Sequence, residues 1–524
     1  MSYIFEQNVG KHRYIYECSS YRNDNGEPRN KRVMIGKVNL KTGQKIYNDE
    51  YIERMANCGM PVDLGDDIKL FTISDVKKAI VRDFGLFYFL QNVSEKIGLL
   101  AILREAMPSF WNDVFGLACY LLASGEALMY CGDWVSRTEC QGVGSLSSQR
   151  VSDLLAAIDE STRNRFYQLW CAYRQEREYL AIDITSASSY SELIDDVAWG
   201  RNRDGEALPQ VNICMLMGEE TRLPVYQRIY DGSLNDVKTL RSTIMSFGHI
   251  TNGRDVLAVM DKGFYSSNNI DEMFDWPVHF IISAPLKTTM VKALVDAARD
   301  EIDTVDNVIV VGDDPMRAIT RELEWGGRKM YAHIYYNAKK ASNEKEDLYA
   351  QVSLLKDKTV KDPEKCAKSP AFRKYLRFVK SKRGYYVYYK KDVIDKELLY
   401  TGWVVLLSNA VSSKKRAIRI YRDKDVVEKG FDLFKNSLDM GRLRVHSEGR
   451  MFSKLFVGFV ALIMMSHINY VMMEKGLYIK MTMRNLVHTL SALRVHYING
   501  TKILFPVTKA QNDIFKAFDI DPPK

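Results

Sequence analysis

Residues 420–435 read IYRDKDVVEKGFDLFK, and the spacing of their polar and apolar positions predicts one helix. At about 100° per residue, four polar side chains fall within a stripe roughly 60° wide: Tyr421, Lys424, Glu428 and Lys435. An apolar stripe beside it can seat the helix on a core: Val427, Phe431, Phe434 and Leu438. The pattern indicates a glutamate held between cations and a phenol at the edge of a buried face. A solvated charged stripe is the alternative, and two other stretches of the chain weigh against it.

Two apolar strands each carry an aspartate. Residues 179–185 place Asp183 inside one strand, and residues 256–260 run straight into Asp261. Carboxylates are rarely buried unless they are paired or bound to a metal. The elements around them are predicted in this order: strands 179–185, 211–217 and 223–229, a helix at 234–248, and strands 256–260 and 278–284. This order predicts an α/β fold with acids on its first and fourth strands.

Asp183, Asp261 and Glu428 are therefore candidates for one oxygen-rich site. Such sites suit Mg²⁺, with Mn²⁺ as the second choice. Two such ions about 3.5–4 Å apart activate a water or a 3′-hydroxyl and stabilise the leaving oxygen at a phosphodiester. One aspartate at a strand end is a weak signal, whereas two of them with a supported helical glutamate are a strong one.

Three stretches resemble the DDE transposases of the insertion-sequence-four superfamily: residues 183–186, residues 259–266 and residues 421–435. The third is similar to the family's Y-R-E-K signature, spaced Y-x2-R-x3-E-x6-K, which here falls on Tyr421, Lys424, Glu428 and Lys435. Lys424 replaces the arginine, which keeps the charge but loses the bidentate fork on phosphate. The resemblance covers roughly residues 140–480.

The resemblance implies a ribonuclease-H-like catalytic core, a mixed sheet with flanking helices, interrupted by a β-rich insertion. A β-hairpin at residues 14–18 and 31–35, a helical region and a helical carboxyl-terminal tail would complete the chain. Gln149 and Arg150, on a short helix entered through serines, could reach a DNA groove, although an ordinary capped helix is an equal alternative. The expected regions are an amino-terminal β-rich region (1–75), a helical DNA-binding region (76–177), the first part of the core (178–285), the insertion (286–412), the second part of the core (413–475) and the tail (476–524).

By resemblance, the chain would be a DNA transposase that binds the terminal inverted repeats of its own element as a homodimer. It would cleave the DNA ends and join their 3′-hydroxyls to target DNA, with Asp183, Asp261 and Glu428 as catalytic residues and metal ligands. Tyr421, Lys424 and Lys435 would contact the phosphates of double-stranded DNA. A metal-dependent nuclease without strand transfer and a domesticated DNA-binding protein are the alternatives, and the presence of all three acids argues against the second.

A basic and aromatic tract is predicted to bind DNA. Residues 371–391 hold eight Lys/Arg, seven Phe/Tyr and no Asp/Glu, and they include Lys380, Lys382 and Arg383. Basic side chains neutralise phosphates, and aromatic rings stack on unpaired bases. An edge hairpin guarded by lysines is the alternative.

Three further side chains are candidate DNA contacts. Trp403 lies on a predicted strand at residues 398–407, and in cut-and-paste relatives a tryptophan at the matching place stacks on a base flipped from the DNA end. A tryptophan that fills the core is an equally good interpretation. Residues 411–450 hold eleven Lys/Arg against six Asp/Glu, which adds Arg442 and Arg444.

The composition is that of a globular protein with several domains. The chain has 524 residues, too many for one core, and its net charge of +8 fits a polyanionic partner without establishing one. Its eight cysteines form no CxxC pair and are typical of reduced thiols. The most apolar run, residues 455–465, is short for a membrane span and usual for a buried helix. The cysteines and the short apolar run predict a cytoplasmic protein outside the membrane, and the resemblance implies a nucleoid-associated protein of a bacterium or archaeon.

Overall fold

The computed structural model describes residues 2–23, 26–40, 43–58, 73–174, 178–253, 255–276, 278–362, 366, 368–381 and 384–524. The chain forms two compact units. Residues 1–83, 494–506 and 524 form the amino-terminal unit, and residues 84–493 and 507–523 form the main unit.

Strands and helices are both abundant in the described residues. The strands are, in chain order, β1 Ser2–Val9, β2 His12–Arg22, β3 Pro28–Val38, β4 Lys45–Tyr47, β5 Ile80–Asp83, β6 Leu180–Ser188, β7 Gln210–Gly218, β8 Pro224–Asp231, β9 Val256–Met260, β10 Val278–Ala284, β11 Val308–Val311, β12 Asp314–Trp325, β13 Arg328–Tyr336, β14 Leu376–Ser381, β15 Gly384–Tyr389, β16 Trp403–Ser408, β17 Arg494–Ile498 and β18 Thr501–Leu504. The α-helices are Asp49–Asn57, Ile73–Lys77, Gly85–Lys96, Leu99–Ala106, Trp111–Ser124, Cys131–Arg137, Ser148–Ala157, Glu160–Tyr173, Asp236–Ile250, Ser267–Asp275, Thr289–Ala298, Ala338–Lys361, Pro370–Tyr375, Lys391–Leu398, Lys414–Asp423, Asp425–Asp432, Glu448–Glu474, Met483–Ser491 and Lys509–Ala517.

The amino-terminal unit contains an antiparallel sheet in the order β1-β2-β3-β4. The pairing of β2 with β3 confirms the predicted hairpin. The helix Asp49–Asn57 follows β4, and its Tyr51 forms a small core with Ile15 and Ile35. One face of this sheet is therefore covered by a helix.

The carboxyl-terminal tail, predicted to be helical, also contains a hairpin. β17 pairs with β18, and β5 pairs with β17. The turn between β17 and β18 is Asn499-Gly500, and its φ angles are 49° and 77°. A type I′ hairpin turn requires positive φ at both central residues, and Asn-Gly is its strongest sequence signal. The prediction of a purely helical tail was wrong because it overlooked this dipeptide.

One nine-stranded mixed sheet organises the main unit, in the order β11-β12-β13-β16-β10-β9-β6-β7-β8. β6, β9 and β10 are parallel, and the other neighbours are antiparallel. β7 is buried along its whole length, as expected for a strand covered on both faces. The predicted strand order is confirmed as β6, β7 and β8, the helix Asp236–Ile250, and then β9 and β10.

The segment predicted to interrupt the core contributes to the same sheet. β11, β12, β13 and β16 extend the sheet through the antiparallel pairing of β16 with β10. β14 and β15 form a separate pair, whose core includes Leu348 and Val352 of the helix Ala338–Lys361. The strand predicted at residues 398–407 begins only at Trp403, because the residues before it form the helix Lys391–Leu398 and a turn.

The longest apolar helix packs inside the main unit. Among the described residues, Glu448–Glu474 alone is a single helix long and apolar enough to cross a membrane, and two bent helix pairs pass the same test only if each pair counts as one span. In the structure, 78% of the apolar window of Glu448–Glu474 is buried. It lies against the helices Trp111–Ser124 and Ser148–Ala157 and against β8. Packing against β8 and the two helices therefore accounts for its apolar character, as predicted for a buried helix at residues 455–465.

Candidate active site on two adjacent parallel strands

Asp183 and Asp261 are neighbours on adjacent parallel strands. The pairing of β6 with β9 ends at Ile182 and Met260. Asp183 is the next residue within β6, and Asp261 immediately follows the end of β9. Adjacent strands lie about 4.8 Å apart, so the two carboxylates leave the sheet side by side. The apolar residues before them anchor both strands in the core, since Ala181, Ile182, Val259 and Met260 are fully buried.

Asp183 is a largely buried acid. The backbone N–H of Ile184 donates a 2.8 Å hydrogen bond to its Oδ1, and Arg203 Nη1 lies 4.0 Å from the same oxygen. Burial raises the pKa of Asp183 to about 6, and the neighbouring charge of Asp261 acts in the same direction. Arg203 and Lys424 oppose that rise in pKa. The site therefore favours added positive charge beside Asp183.

Asp261 caps the turn that follows β9. Its Oδ1 accepts a 2.6 Å hydrogen bond from the backbone N–H of Gly263, at the start of the 3₁₀ turn Lys262–Phe264. A Cβ at Gly263 would lie 2.8 Å from Asp261 Oδ1 and 2.9 Å from Asp236 Oδ2. Glycine thus allows two carboxylates to approach the same backbone, and the cap fixes the orientation of Asp261.

The helical stretch with Glu428 lies beside these aspartates. Lys424 Nζ donates a 2.9 Å hydrogen bond to Glu428 Oε1, and it lies 5.7 Å from the ring centre of Tyr421. Burial lowers the pKa of Lys424, but the hydrogen bond and charge of Glu428, with the charge of Asp183, outweigh it and leave the pKa raised. Burial raises the pKa of Tyr421, and Asp261 and Glu428 add to that rise. The charge of Asp183 therefore acts on Lys424, and the charge of Asp261 acts on Tyr421, so this helical face is close to both aspartates.

The predicted single helix at residues 420–435 was wrong in detail. The structure has the helix Lys414–Asp423, a tight turn at Lys424, the helix Asp425–Asp432 and a π-helical turn at Leu433–Ser437. The turn tightens because the N–H of Val427 bonds to the carbonyl of Lys424, three residues back. The predicted apolar stripe is confirmed, since all four of its residues are buried: Val427, Phe431, Phe434 and Leu438.

The donor set fits a hard divalent cation in part. Asp183 and Asp261 offer adjacent carboxylate oxygens, the ligands that Mg²⁺ and Mn²⁺ prefer. Glu428 faces the same region, but its carboxylate is engaged by Lys424. Within the described part of the chain, no three His, Cys, Asp or Glu side chains are grouped closely enough to hold a metal ion. Lys424 and Arg203 provide positive charge next to these acids.

The match to one family model fits this arrangement. Residues 174–464 match the family model described as a transposase DDE domain. The chain belongs to this family. Asp183, Asp261 and Glu428 all fall inside the matched range of this DDE transposase. No curated protein matches the chain. Among solved structures, it is similar to a chain in the cryo-EM structure of a piggyBac transposase synaptic complex with hairpin DNA, at 10% sequence identity and a TM-score of 0.35, covering 66% of this chain and 57% of that chain.

A charged loop of the transposase, residues 202–206, lies over the site and was missed by the sequence analysis. Arg203 donates a 2.5 Å hydrogen bond to Asp236 and approaches Asp183. Asp204 accepts bonds of 2.8 Å and 2.7 Å from Lys435 Nζ, one at each carboxylate oxygen. Glu206 accepts a bond of 2.6 Å from Arg442. The loop therefore neutralises one predicted metal ligand and two predicted DNA contacts.

The segment around Arg442 is fixed to the end of β6. The N–H of Ser188 donates to the carbonyl of Gly441, and the N–H of Leu443 donates to the carbonyl of Ser188. The buried Lys454 Nζ donates 3.2 Å and 2.6 Å bonds to the carbonyls of Arg442 and Leu443. Arg444 is ion-paired with Asp439. The structure thus fixes Arg442 to the end of β6 and to the loop that carries Arg203, and Lys454 is a positioning residue that sequence patterns did not indicate.

The remaining predicted contacts lie elsewhere. Trp403 is 5% exposed and packs with its ring centre 5.0 Å from that of Tyr336, which favours the core interpretation. Lys382 and Arg383 lie outside the described residues, as does the side chain of Lys380. Arg150 forms a 3.3 Å ion pair with Asp113. Its helix, Ser148–Ala157, is capped by Ser147.

Proposed function

We propose that this chain is a DNA transposase of the insertion-sequence-four superfamily with a ribonuclease-H-like core. The observation that carries the proposal is the side-by-side placement of Asp183 and Asp261 at adjacent parallel strands, next to the helical face of Glu428. The sheet order β8-β7-β6-β9-β10, with β6, β9 and β10 parallel, supports that core. In this proposal residues 286–412, which include β11 to β16, are a β-rich insertion into the core.

The proposed chemistry is cleavage of DNA ends and joining of their 3′-hydroxyls to target DNA. Asp183, Asp261 and Glu428 would hold Mg²⁺ or Mn²⁺, which supplies an activated water or 3′-hydroxyl and stabilises the leaving oxygen. Asp261 is oriented for this role by its bond from Gly263. Glu428 would exchange its partner Lys424 for the cation, which frees Lys424 for a DNA phosphate. The proposal includes terminal inverted repeats as substrate, a homodimer on DNA, and action in the cytoplasm of a bacterium or archaeon.

The direct test supplies the protein with DNA that carries the inverted repeats flanking its reading frame. With Mg²⁺ present, we expect cuts at the repeat ends and covalent joining of the 3′-ends to a second duplex. Cutting without joining would favour the alternative of a nuclease without strand transfer. Binding of the repeats with no cutting in Mg²⁺ or Mn²⁺ would favour a domesticated DNA-binding protein.

We infer that DNA displaces the loop of residues 202–206 from the site. Asp204 and Glu206 hold their carboxylates against Lys435 and Arg442, as two phosphates of a DNA strand would. Arg203 presents a positive charge to Asp183, where a cation would sit. Lys435, Arg442 and Asp183 thus each contact a charge of the loop in place of the DNA phosphate or metal ion that they would contact in the proposed function.

The Asp204→Asn variant is expected to bind repeat DNA about threefold more tightly, because exposed ion pairs are worth about 0.2–1 kcal/mol. Asp195→Asn, an exposed residue of the same connection, removes the same charge and serves as the control. Fluorescence anisotropy at fixed ionic strength measures both. Weaker binding by Asp204→Asn would mean that Asp204 orients Lys435 for DNA rather than competing with DNA.

The Lys424→Glu variant is expected to lose cleavage, whereas Lys424→Arg should retain it. Lys424 is buried beside Asp183 and Glu428, so a glutamate there adds a further carboxylate to an acidic site and removes a cation from the path of the DNA. Arginine keeps the charge and restores the residue of the Y-R-E-K signature. End-cleavage assays with matched protein concentrations compare the two. Cleavage by Lys424→Glu at the wild-type rate would remove Lys424 from the site.

A further inference from the structure

The amino-terminal sheet has two chemically different faces. Ile15 and Ile35 point to the face covered by the helix Asp49–Asn57, which we call the helix face. Side chains alternate along a strand, so Tyr14 and Tyr16, on either side of Ile15, point to the opposite face. We call that opposite side the open face.

Aromatic side chains form a ladder on the open face. Phe5 is paired with Tyr16, and their ring centres lie 5.8 Å apart with planes inclined by 24°. Tyr3 extends the ladder 5.9 Å from Phe5, and Tyr14 extends it 6.5 Å from Tyr16. The guanidinium of Arg32 lies 4.6 Å from the Phe5 ring centre and 4.8 Å from that of Tyr16. Tyr3, at the end of the ladder, is 58% exposed.

The charges of the sheet are separated between its faces. β1 to β4 contain two acidic residues, Glu6 and Glu17, and both share the helix face with Ile15. Both are ion-paired: Glu6 with Arg13 at 2.9 Å and Lys45 at 3.1 Å, and Glu17 with Arg54. The described strand residues of the open face include four basic side chains and no carboxylate: His12, Arg22, Arg32 and Lys37. Among the described strand residues of this face, positive charge without a carboxylate partner thus lies beside the aromatic ladder.

This combination matches unpaired nucleic acid better than a protein surface. Aromatic rings stack on bases of any sequence, and cations beside them neutralise the phosphates. A second copy of the same face would oppose like charges, which is unfavourable. We propose that the open face binds single-stranded DNA, with Tyr3 at the end of the ladder stacking on a base and with Arg32 and Lys37 on the phosphates. The identity of the nucleic acid as DNA rests on the proposed function.

The test measures binding of a fluorescent oligothymidine of 15 nucleotides to the full chain without divalent metal. Tyr3→Ala and Arg32→Ala are each expected to weaken binding on the order of tenfold, as loss of one stacked base does. Tyr3→Phe should bind like the wild type, since it keeps the ring. The matched controls are the chain neighbours on the helix face, Ile4→Ala and Lys31→Ala, which should change the affinity by less than about twofold. Thermal melting of each variant checks that it is folded.

Three results would overturn the inference. The first is an equal loss of affinity in the variants of both faces, which would indicate diffuse attraction to charge. The second is a preference for a 15-base-pair duplex over the single strand, and the third is unchanged binding in the open-face variants. The proposed function is judged separately, because end cleavage needs metal and the three acids. Unchanged oligothymidine binding in folded Tyr3→Ala and Arg32→Ala, with cleavage intact, would refute the inference alone, and oligothymidine binding without any cleavage would count against the proposed function alone.

Discussion

The Asp183→Asn variant is expected to lose metal-dependent DNA cleavage by at least about 1,000-fold while it still binds repeat DNA. A metal ion supplies several kcal/mol of charge stabilisation in the transition state, and each 1.36 kcal/mol corresponds to a factor of ten in rate. Asparagine keeps the shape of the side chain but removes the charge that holds the cation next to Asp261. Asp261→Ala and Glu428→Ala are expected to behave in the same way. Single-turnover cleavage and electrophoretic mobility shift, measured on the same preparations, separate chemistry from binding.

The control for this loss is Asp255→Asn, which makes the same change just before the start of β9. Asp255 is exposed and lies at the opposite end of the strand from Asp261. It should cleave at the wild-type rate. If Asp183→Asn also cleaved normally, Asp183 would have no part in the active site, and the proposal of paired aspartates would fail with it.

The Asp183→Asn substitution is also expected to stabilise the metal-free protein near neutral pH. Burial raises the pKa of Asp183 from 3.8 to about 6, so the folded state disfavours the ionised carboxylate. The contribution of Asp183 to stability is therefore full below pH about 4 and is lost as the pH rises to about 6. At pH 7 the ionised carboxylate of Asp183 therefore lowers the free energy of unfolding by about 3 kcal/mol, at 1.36 kcal/mol for each pKa unit. Chemical denaturation of both proteins at pH 4 and pH 7 should show a gain for Asp183→Asn only at the higher pH, and an equal gain at both would point to a cause other than ionisation.

The sequence predicted the strands and the helical stretch of the site better than the side-chain contacts that their residues make. Asp183 and Asp261 could be located because Asp183 lies within an apolar strand and Asp261 directly follows one. Glu428 could be located from the apolar stripe beside it. These are local patterns, and the structure contains both strands and the buried stripe, although the predicted single helix is divided at Lys424.

What escaped prediction depends on contacts between distant parts of the chain. Asp204 and Lys435 are 231 positions apart, and their ion pair leaves no periodic trace in the sequence. Lys454 lies in a long apolar helix and donates hydrogen bonds to the carbonyls of Arg442 and Leu443. In the sequence, this lysine only interrupts the apolar pattern and does not indicate its partners. The break between the two helices at Lys424 also leaves no signal in the sequence, because the residues around it have ordinary helical preferences. A charged loop with a turn signal, Asn202-Arg-Asp-Gly-Glu, was the clue available, but it does not say which charges it meets.

Trp403→Ala is expected to cost about 3–5 kcal/mol of stability, the usual penalty for emptying the place of a large buried aromatic side chain. Trp403 begins β16, pairs with Tyr336 of β13, and is covered on one side by Arg299, whose guanidinium lies 5.8 Å from the ring centre. A ring held in this way cannot take up a flipped base without leaving its pocket. We therefore expect nicking, hairpin closure and joining to fall together, in proportion to the unfolded fraction.

The matched control is Trp199→Ala, because Trp199 is 68% exposed and lies in the connection between β6 and β7. Its replacement should change stability by no more than about 0.5 kcal/mol. Thermal melting of both variants, run beside separate assays of nicking, hairpin closure and joining, distinguishes packing from stacking. A Trp403→Ala protein that melts like the wild type and nicks normally but fails to close hairpins would refute the packing role and restore Trp403 as a base-stacking residue.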